Sequence, residues 1–289
     1  MKYGIYYAYW EKEWGGAFIP YVEKCARLGF DILEVATGAF FREDDSFFRE
    51  LGQAAKANGI HLTGGYGPRP EHNLASRASA AVEKAFAFYA DMFRKMELAG
   101  IDRLGGALYS YWPVDFHSPM DKPGDTARSV ERMKRLADMA ADYGITLNME
   151  SLNRFEGYMI NECYECVEYV KAVDKPNVKV MLDTFHMNIE EDSITDAIHM
   201  AGKLLGHFHV GEANRRPPRP GGRIDWSVIG SALKDIGYRE AVVMEPFVTM
   251  GGQVGKDIFI WRDLSHGATE EELDADASKS LTFLRGLWG

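Results

Sequence analysis

The feature that most constrains the fold of this chain is a regular alternation of short apolar runs with longer amphipathic segments. Eight runs of four or five residues have the length and composition of strands, and each is followed by apolar residues at helical spacing. The predicted strands are Tyr3–Tyr7, Ile32–Val35, Ile60–Thr63, Arg103–Ala107, Ile145–Met149, Val178–Leu182, Leu204–Phe208 and Ala241–Met244. The predicted helices are residues 18–28, 47–58, 79–99, 126–143, 162–173, 193–203, 226–236 and 273–287.

Eight strands that alternate with helices predict an α/β fold, either a closed barrel or an open doubly wound sheet. The count of eight favours a (β/α)8 TIM barrel, in which functional residues lie at the C-terminal ends of the strands. No linker-like stretch divides the chain, so we expect one domain over residues 1–289 that ends in the helix at about 273–287. There is no glycine fingerprint for a dinucleotide and no phosphate-binding loop of the Walker type.

Composition narrows the class of partner. The formal net charge is -10, with 33 Lys and Arg against 43 Asp and Glu, which argues against a nucleic-acid partner. We find no signal peptide and no stretch long enough to span a membrane, and three cysteines suit a reducing compartment. Cys163 and Cys166 have redox or zinc spacing, but they lack a second pair and lie in a predicted helix, which favours a structural role. We therefore expect a cytoplasmic protein that acts on small molecules.

Four side chains with oxygen or imidazole ligand atoms stand at the ends of predicted strands five to eight: Glu150, Asp183, His209 and Glu245. Because the carboxyl ends of barrel strands surround one cavity, we expect these side chains to converge. Three carboxylates and one imidazole suit Mn2+, Mg2+ or Co2+. For single residues there are alternatives, since Glu150 can be a solvated acid and Asp183 a helix N-cap. As a set they predict a metal site.

Three further polar residues follow the predicted metal ligands along the chain. Glu156 and His186 come shortly after strands five and six, and Arg215 lies in the basic loop after strand seven. An arginine there can hold a substrate oxygen by directed hydrogen bonds. The alternatives are a Glu156 paired with Arg154, a packed His186 and a solvated basic loop.

Aromatic residues gather near the ends of strands one and four, where they are placed to wall a sugar-sized cavity. Packing into the core is the alternative for each of them. They are Tyr6, Trp10, Trp14, Tyr109, Tyr111 and Trp112.

Four motifs resemble the ketose 3-epimerase family of the xylose-isomerase-like TIM barrel superfamily, which includes the D-psicose (D-allulose) and D-tagatose 3-epimerases. The motifs are Gly-Ile-Tyr-Tyr-Ala-Tyr-Trp from Gly4, Gly-Gly-Ala-Leu-Tyr-Ser-Tyr-Trp-Pro from Gly105, Leu-Asn-Arg-Phe-Glu from Leu152, and Val-Met-Leu-Asp-Thr-Phe-His-Met-Asn-Ile-Glu-Glu-Asp from Val180. The similarity runs from Met1 to the Trp-Arg-Asp-Leu segment at Trp261.

The resemblance implies that Glu150, Asp183, His209 and Glu245 bind Mn2+, with Co2+ or Mg2+ as substitutes. It implies that Glu150 and Glu245 remove and return the C3 proton of a ketohexose through a metal-bound cis-enediolate, converting D-fructose to D-psicose and D-tagatose to D-sorbose. By the same resemblance, a homodimer or homotetramer is expected. The residues that would bind the sugar are Glu156, His186 and Arg215 at its O1 end, and Tyr6, Trp14, Ala107, Trp112 and Phe247 along the pocket.

Several positions depart from the pattern of the family. Ser151, Val210 and Asp225 differ, and the loop at 216–223 is about one residue longer. None of these is a predicted ligand, so the chemistry is expected to stand while the preferred ketose stays open. The alternative function is an aldose-ketose isomerase of the same superfamily, such as a hydroxypyruvate isomerase, which moves a proton between C1 and C2.

Overall fold

The eight strands form one closed parallel barrel in the computed structural model, which describes residues 1–289. Each strand pairs with the next one along the chain, and β8 pairs with β1. The strands are β1 Lys2–Tyr6, β2 Ile32–Ala36, β3 His61–Gly65, β4 Arg103–Gly106, β5 Thr146–Glu150, β6 Val178–Asp183, β7 Leu205–Val210 and β8 Ala241–Met244. The prediction of a (β/α)8 TIM barrel is confirmed, and the assignment of all 289 residues to one domain stays a prediction.

Ten α-helices lie between and after the strands: α1 Phe18–Leu28, α2 Asp45–Asn58, α3 Ser79–Ala99, α4 Lys122–Ala141, α5 Cys163–Val173, α6 Thr184–Glu190, α7 Ile194–Ala201, α8 Trp226–Asp235, α9 Gly252–Asp257 and α10 Glu270–Trp288. The sequence pattern does not predict α6 and α9, which are only seven and six residues long. None of the ten is both long enough and apolar enough to cross a membrane.

The strands are buried on both faces, because each lies between the packed interior of the barrel and the helices outside it. Every residue of β2, β7 and β8 is buried. This explains why the strands appear in the sequence as nearly continuous apolar runs rather than as alternating ones. Polar side chains inside such runs must therefore find partners in the interior of the protein.

Helix α4 begins four residues earlier than its apolar spacing predicts. The side chain of Asp121 caps the helix by accepting a hydrogen bond from the Gly124 amide, and Pro123 lies in the first turn. Asp at the N-cap and proline at the start of a helix satisfy backbone groups that have no partner within the helix. The helix therefore begins at Lys122 rather than at Thr126.

The C-terminal helix is held against α8 by a close approach of Trp288 to Gly230. The indole Nε1 of Trp288 donates to the Trp226 carbonyl at 2.7 Å, and a Cβ placed on Gly230 would overlap the indole ring. We expect Gly230→Ala to lower the free energy of unfolding by about 1–3 kcal/mol.

The matched control is Gly286→Ala in α10, where an added Cβ would have no atom within 4 Å. It should raise the free energy of unfolding by about 0.4–1 kcal/mol, because alanine restricts the unfolded chain. Denaturant titration measures both values, and equal effects of the two substitutions would contradict the packing described.

Candidate metal centre and sugar-sized cavity

Four potential metal ligands meet at the carboxyl ends of β5 to β8. Glu150 and Asp183 are the last residues of β5 and β6, His209 is the penultimate residue of β7, and Glu245 directly follows β8. The strand register pairs Asp183 with His209. One oxygen or nitrogen atom from each of the four side chains lies within 4.8 Å of the others. The structure therefore brings the four predicted ligands into one buried cluster that is suited to a divalent metal.

Arg215 supplies positive charge to this acidic cluster. Its Nη1 lies 2.8 Å from Asp183 Oδ2 and 2.7 Å from Glu245 Oε2. The guanidinium carbon lies 3.8 Å from the centre of the Phe185 ring. The backbone of Arg215 is left-handed, with φ of 64°, and its amide donates to the Glu212 carbonyl at 2.8 Å. The arginine predicted from the basic loop thus points into the cluster rather than into solvent.

The titratable groups of the cluster have pKa values shifted from their ordinary values. Burial raises the pKa of Glu150 well above its ordinary value, and the neighbouring charge of Glu245 adds to this. Burial also raises the pKa of Glu245, but His209 and Arg215 outweigh it and leave that pKa lowered. For His209, burial lowers the pKa, and Glu34 and Glu245 more than offset it, so the pKa is raised. The two glutamates therefore differ in their tendency to hold a proton.

His186 presents a defined ring nitrogen to the same cluster. The Nδ1 atom accepts the Asn153 backbone amide at 3.1 Å, and Nε2 lies 3.7 Å from Glu150 Oε1. Burial lowers the pKa of His186 well below its ordinary value, so the ring is neutral with its proton assigned to Nε2. Glu156 lies nearby and accepts from the Trp112 indole at 3.3 Å.

Two of the alternatives for single residues are decided by the contacts these residues make. Arg154 forms a salt bridge with Glu190 at 2.7 Å, so the alternative in which Glu156 pairs with Arg154 is wrong. Asp183 does cap α6, because its Oδ1 accepts from the Phe185 amide at 2.9 Å, yet its other oxygen faces the cluster. One carboxylate therefore serves both the helix and the site.

A cavity of about 570 Å³ opens beside the cluster, a volume typical of small-molecule sites. Trp14 and Trp112 meet edge to face at 5.9 Å between ring centres, and Tyr6 and Phe247 do so at 6.1 Å. Glu150, His209 and Glu245 reach the cavity wall, whereas Asp183 is fully buried behind it. All eight residues predicted to bind substrate line the cavity: Tyr6, Trp14, Ala107, Trp112, Glu156, His186, Arg215 and Phe247.

Three of the aromatic residues expected near the cavity lie outside its wall. The Trp10 indole donates to Asp274 Oδ1 at 2.9 Å, and the Tyr109 hydroxyl donates to the Glu150 carbonyl at 2.8 Å. The Tyr111 hydroxyl accepts from the backbone amide of Asp115 at 3.3 Å. These three residues therefore make structural hydrogen bonds and packing contacts, and they do not form part of the cavity wall.

Sequence reasoning overlooks Glu34, which lies in the middle of β2 and lines the floor of the cavity. Its Oε1 is 2.6 Å from His209 Nε2. The available signal was a carboxylate inside the apolar run Ile32–Val35, since an acid buried in a barrel strand requires a partner.

A closed parallel barrel with a buried ligand cluster and a cavity at its carboxyl end is the arrangement of a barrel enzyme. Comparison with known proteins specifies the class. Residues 22–277 match the family described as xylose isomerase-like TIM barrel. The D-psicose 3-epimerase of Agrobacterium fabrum is 52% identical over 289 residues, which cover 100% of both chains.

Solved structures agree with this relationship. The crystal structure of D-psicose 3-epimerase with D-tagatose from Clostridium cellulolyticum H10 has a TM-score of 0.98 and 52% identity, covering 100% of this chain and 99% of the other. A D-psicose 3-epimerase structure determined in the presence of D-fructose has a TM-score of 0.98 and 52% identity, with 100% of both chains covered. The chain therefore belongs to the xylose isomerase-like TIM barrel family and, within it, to the ketose 3-epimerases. It is an epimerase, and hence an isomerase.

Proposed function

We propose that this protein epimerises free ketohexoses at C3, interconverting D-fructose with D-psicose (D-allulose) and D-tagatose with D-sorbose. The observation that carries the proposal is a pair of carboxylates, Glu150 and Glu245, in one buried cluster beside the cavity. Epimerisation removes a proton from one face of a carbon and returns it to the other face, so two bases are needed. The names of the relatives, and the sugars present in two of their structures, support the same reaction.

The two carboxylates come from separate positions around the barrel rim. Glu150 ends β5 and Glu245 follows β8, so β6 and β7 lie between them. This separation supports their assignment to opposite faces of a bound sugar. In that assignment each glutamate takes the C3 proton of one epimer, while the other, in its protonated form, supplies the proton that makes the second epimer.

The cluster fits a divalent metal that Glu150, Asp183, His209 and Glu245 would hold. The Nδ1 atom of His209 is buried and has no hydrogen-bond partner, although it lies 3.6 Å from Glu245 Oε1. An imidazole nitrogen left in this way among three carboxylates is suited to a cation. The metal we propose is Mn2+, with Co2+ or Mg2+ as substitutes. A bound divalent cation would supply Lewis-acid stabilisation of the negative charge that forms on the sugar when the C3 proton leaves.

Three polar side chains are assigned to the O1 end of the ketose. His186 offers an Nε2 proton as a donor, Arg215 offers a guanidinium group, and Glu156 offers carboxylate oxygens that its neighbours already orient. Arg215 Nη2 lies 3.8 Å from Glu156 Oε1 and 3.4 Å from His186 Nε2, so the three groups form one surface. Directional contacts at one end of the sugar would hold C3 between the two bases.

Aromatic rings form the rest of the proposed binding surface. Tyr6, Trp14, Trp112 and Phe247 contact one another, and the Trp14 indole donates to Asp257 Oδ2 at 2.7 Å, which fixes its ring. Ala107 completes the wall without adding bulk. Flat rings bury the C–H faces of a sugar and impose few hydrogen-bond requirements on its far hydroxyl groups. This wall supports activity on more than one ketohexose.

A substrate panel tests the proposed function against an aldose-ketose isomerase. Purified protein with added Mn2+, Co2+ or Mg2+ is incubated with D-fructose, D-psicose, D-tagatose and D-sorbose, and the products are identified by NMR. We expect C3 epimers as the products. Aldoses as the main products would contradict the proposal in favour of the isomerase.

Metal affinity should rise with pH. Glu150 and His209 have raised pKa values in the metal-free protein and must lose their protons to act as ligands. At a pH below those pKa values, metal binding releases protons. For each proton released, the affinity for the metal rises about tenfold per pH unit. Calorimetric titration with Mn2+ between about pH 5 and 8 measures this dependence. An affinity that is constant over this range would contradict the assigned protonation states.

The cellular location and the oligomeric state of the protein are also proposals. We propose a cytoplasmic location, as the three cysteines indicate, and a homodimer or homotetramer, as the family resemblance implies. Sedimentation of the purified protein distinguishes these two assemblies from a monomer.

A further inference from the structure

Glu34 is a buried carboxylate with no role in the reaction proposed above. It lies in the middle of β2, where the strand register places it beside Tyr6 of β1 and Thr63 of β3. Only 1% of Glu34 is exposed, at the floor of the cavity. A carboxylate buried to this extent persists only where its oxygens are hydrogen-bonded or paired with charge.

Both oxygens of Glu34 have partners in the interior of the barrel. The Thr63 hydroxyl donates to Oε2 at 2.7 Å, and His207 Nε2 lies 2.9 Å from the same oxygen. His209 Nε2 lies 2.6 Å from Oε1. The last contact joins β2 to β7 across the barrel, between residues separated by 175 positions in the sequence.

The contact with Glu34 determines which nitrogen of His209 is available to a ligand. An ionised carboxylate only accepts hydrogen bonds, so the nitrogen that faces it, Nε2, carries a proton. In the neutral ring the lone pair is then on Nδ1, the atom that faces Glu245 and has no hydrogen-bond partner. Carboxylates that accept the second N–H of a metal-binding histidine orient such rings in many metalloproteins.

We propose that Glu34 is a positioning residue that fixes the ring orientation and tautomer of His209, and thereby strengthens metal binding without being a ligand. This inference rests on the proposed metal site. It assigns Glu34 to the support of that site rather than to proton transfer or to sugar binding.

Glu34, His207 and His209 are themselves close enough to be considered as a separate metal-binding set. Their arrangement argues against that use. One oxygen of Glu34 already accepts the Thr63 hydroxyl, and the other is within hydrogen-bond distance of His209. This set holds a single carboxylate, whereas the set containing Glu150 and Glu245 holds three. The three carboxylates of the four-residue set, and the His209 Nδ1 atom that lacks a hydrogen-bond partner, both favour that set as the metal site.

A graded pair of substitutions tests the inference by calorimetric titration with Mn2+. Glu34→Gln keeps an oxygen that can accept from His209, and the Kd for Mn2+ should rise about tenfold. Glu34→Ala removes the acceptor, and the Kd should rise about 100-fold. The matched control is Thr63→Val, which removes a neutral contact to the same carboxylate and leaves the contact with His209. Its Kd should change by less than about fivefold.

Equal Kd values for Mn2+ in the wild-type protein and both Glu34 variants would overturn the inference. So would a Thr63→Val variant that weakens binding as much as Glu34→Ala, since that would indicate a general loss of packing. If the wild-type protein binds no Mn2+, the proposed metal site itself fails, and that outcome is distinct from the first two.

A second measurement on the unaltered protein covers the case in which the Glu34 variants do not fold. Anomalous X-ray diffraction from crystals grown with Mn2+ locates the ion. We expect the peak on the Nδ1 side of His209, among the four proposed ligands. A peak on the Nε2 side, between Glu34 and His207, would overturn the positioning role and make Glu34 a ligand.

Discussion

Glu150→Gln and Glu245→Gln should each lower kcat for the conversion of D-fructose to D-psicose by roughly 10³-fold or more. Glutamine has nearly the shape of glutamate but cannot accept the C3 proton. Glu150 is buried and the side chain of Glu245 is only 16% exposed, and both lie in the same cluster, so no solvated carboxylate can replace either of them. Initial rates from product chromatography at saturating Mn2+ measure the effect. Full activity in either variant would contradict the two-base assignment.

Isotope exchange distinguishes two effects of these substitutions, the loss of a catalytic base and the loss of a metal ligand. Each variant keeps one of the two glutamates, so in D2O it should still exchange the C3 hydrogen of one epimer without converting it to the other. The two variants should exchange opposite epimers. Exchange of the same epimer by both would contradict the assignment of one base to each face. Glu97→Gln, an exposed position in α3, is the control, and its rate should match that of the wild type.

Removal of the metal should abolish activity and destabilise the fold. Without a cation, the clustered carboxyl groups of Glu150, Asp183 and Glu245 are countered chiefly by Arg215 and His209. At a free metal concentration of about 100 times the Kd, binding stabilises a protein by about 2.7 kcal/mol. For a domain of 289 residues we therefore expect chelation to lower the Tm by roughly 4–5 °C. Differential scanning calorimetry and activity assays before and after chelation measure both effects.

Asp183→Asn provides the matched control for chelation. Asparagine caps helices about as well as aspartate, so α6 should keep its start while the site loses a charged ligand. Added Mn2+ should then raise the Tm of this variant much less than that of the wild type. Activity that survives complete chelation in the wild-type protein would contradict a metal-dependent reaction.

The barrel could be predicted from sequence because strands and helices alternate with distinct periods. The run at Ala241–Met244 is β8 with the same bounds, and the helix predicted at 79–99 is α3, Ser79–Ala99. Apolar periodicity does not predict the short helices α6 and α9, because seven residues after Asp183 or six after Gly251 contain too few turns for such a period to appear. The earlier start of α4 comes from Asp121 and Pro123, which are capping signals rather than periodic ones.

The candidate site was predictable to the extent that its residues lie at strand ends. The sequence predicts that Glu150, Asp183, His209 and Glu245 lie together, because neighbouring barrel strands end at the same rim. Whether a given side chain lines the cavity depends on packing, which strand ends do not specify. Asp183, for example, lies behind the cavity wall.

Trp10 and Glu34 are harder to place from the sequence than the four residues at the strand ends. Trp10 follows β1 closely, yet its indole turns towards Asp274 of α10, which is 264 positions away in the sequence. Glu34 lies inside a strand and reaches His209 from across the barrel. Both contacts depend on closure of the barrel and on the docking of the last helix, so no local pattern in the sequence contains them.

Deuterium incorporation during turnover tests the central claim most directly. The wild-type protein is incubated with D-fructose in D2O, and the product and the remaining substrate are examined by NMR. Removal and return of a proton by Glu150 and Glu245 predicts D-psicose that carries deuterium at C3 and none at C1. D-psicose formed without deuterium at C3, or deuterium found at C1, would contradict two-base epimerisation at this site.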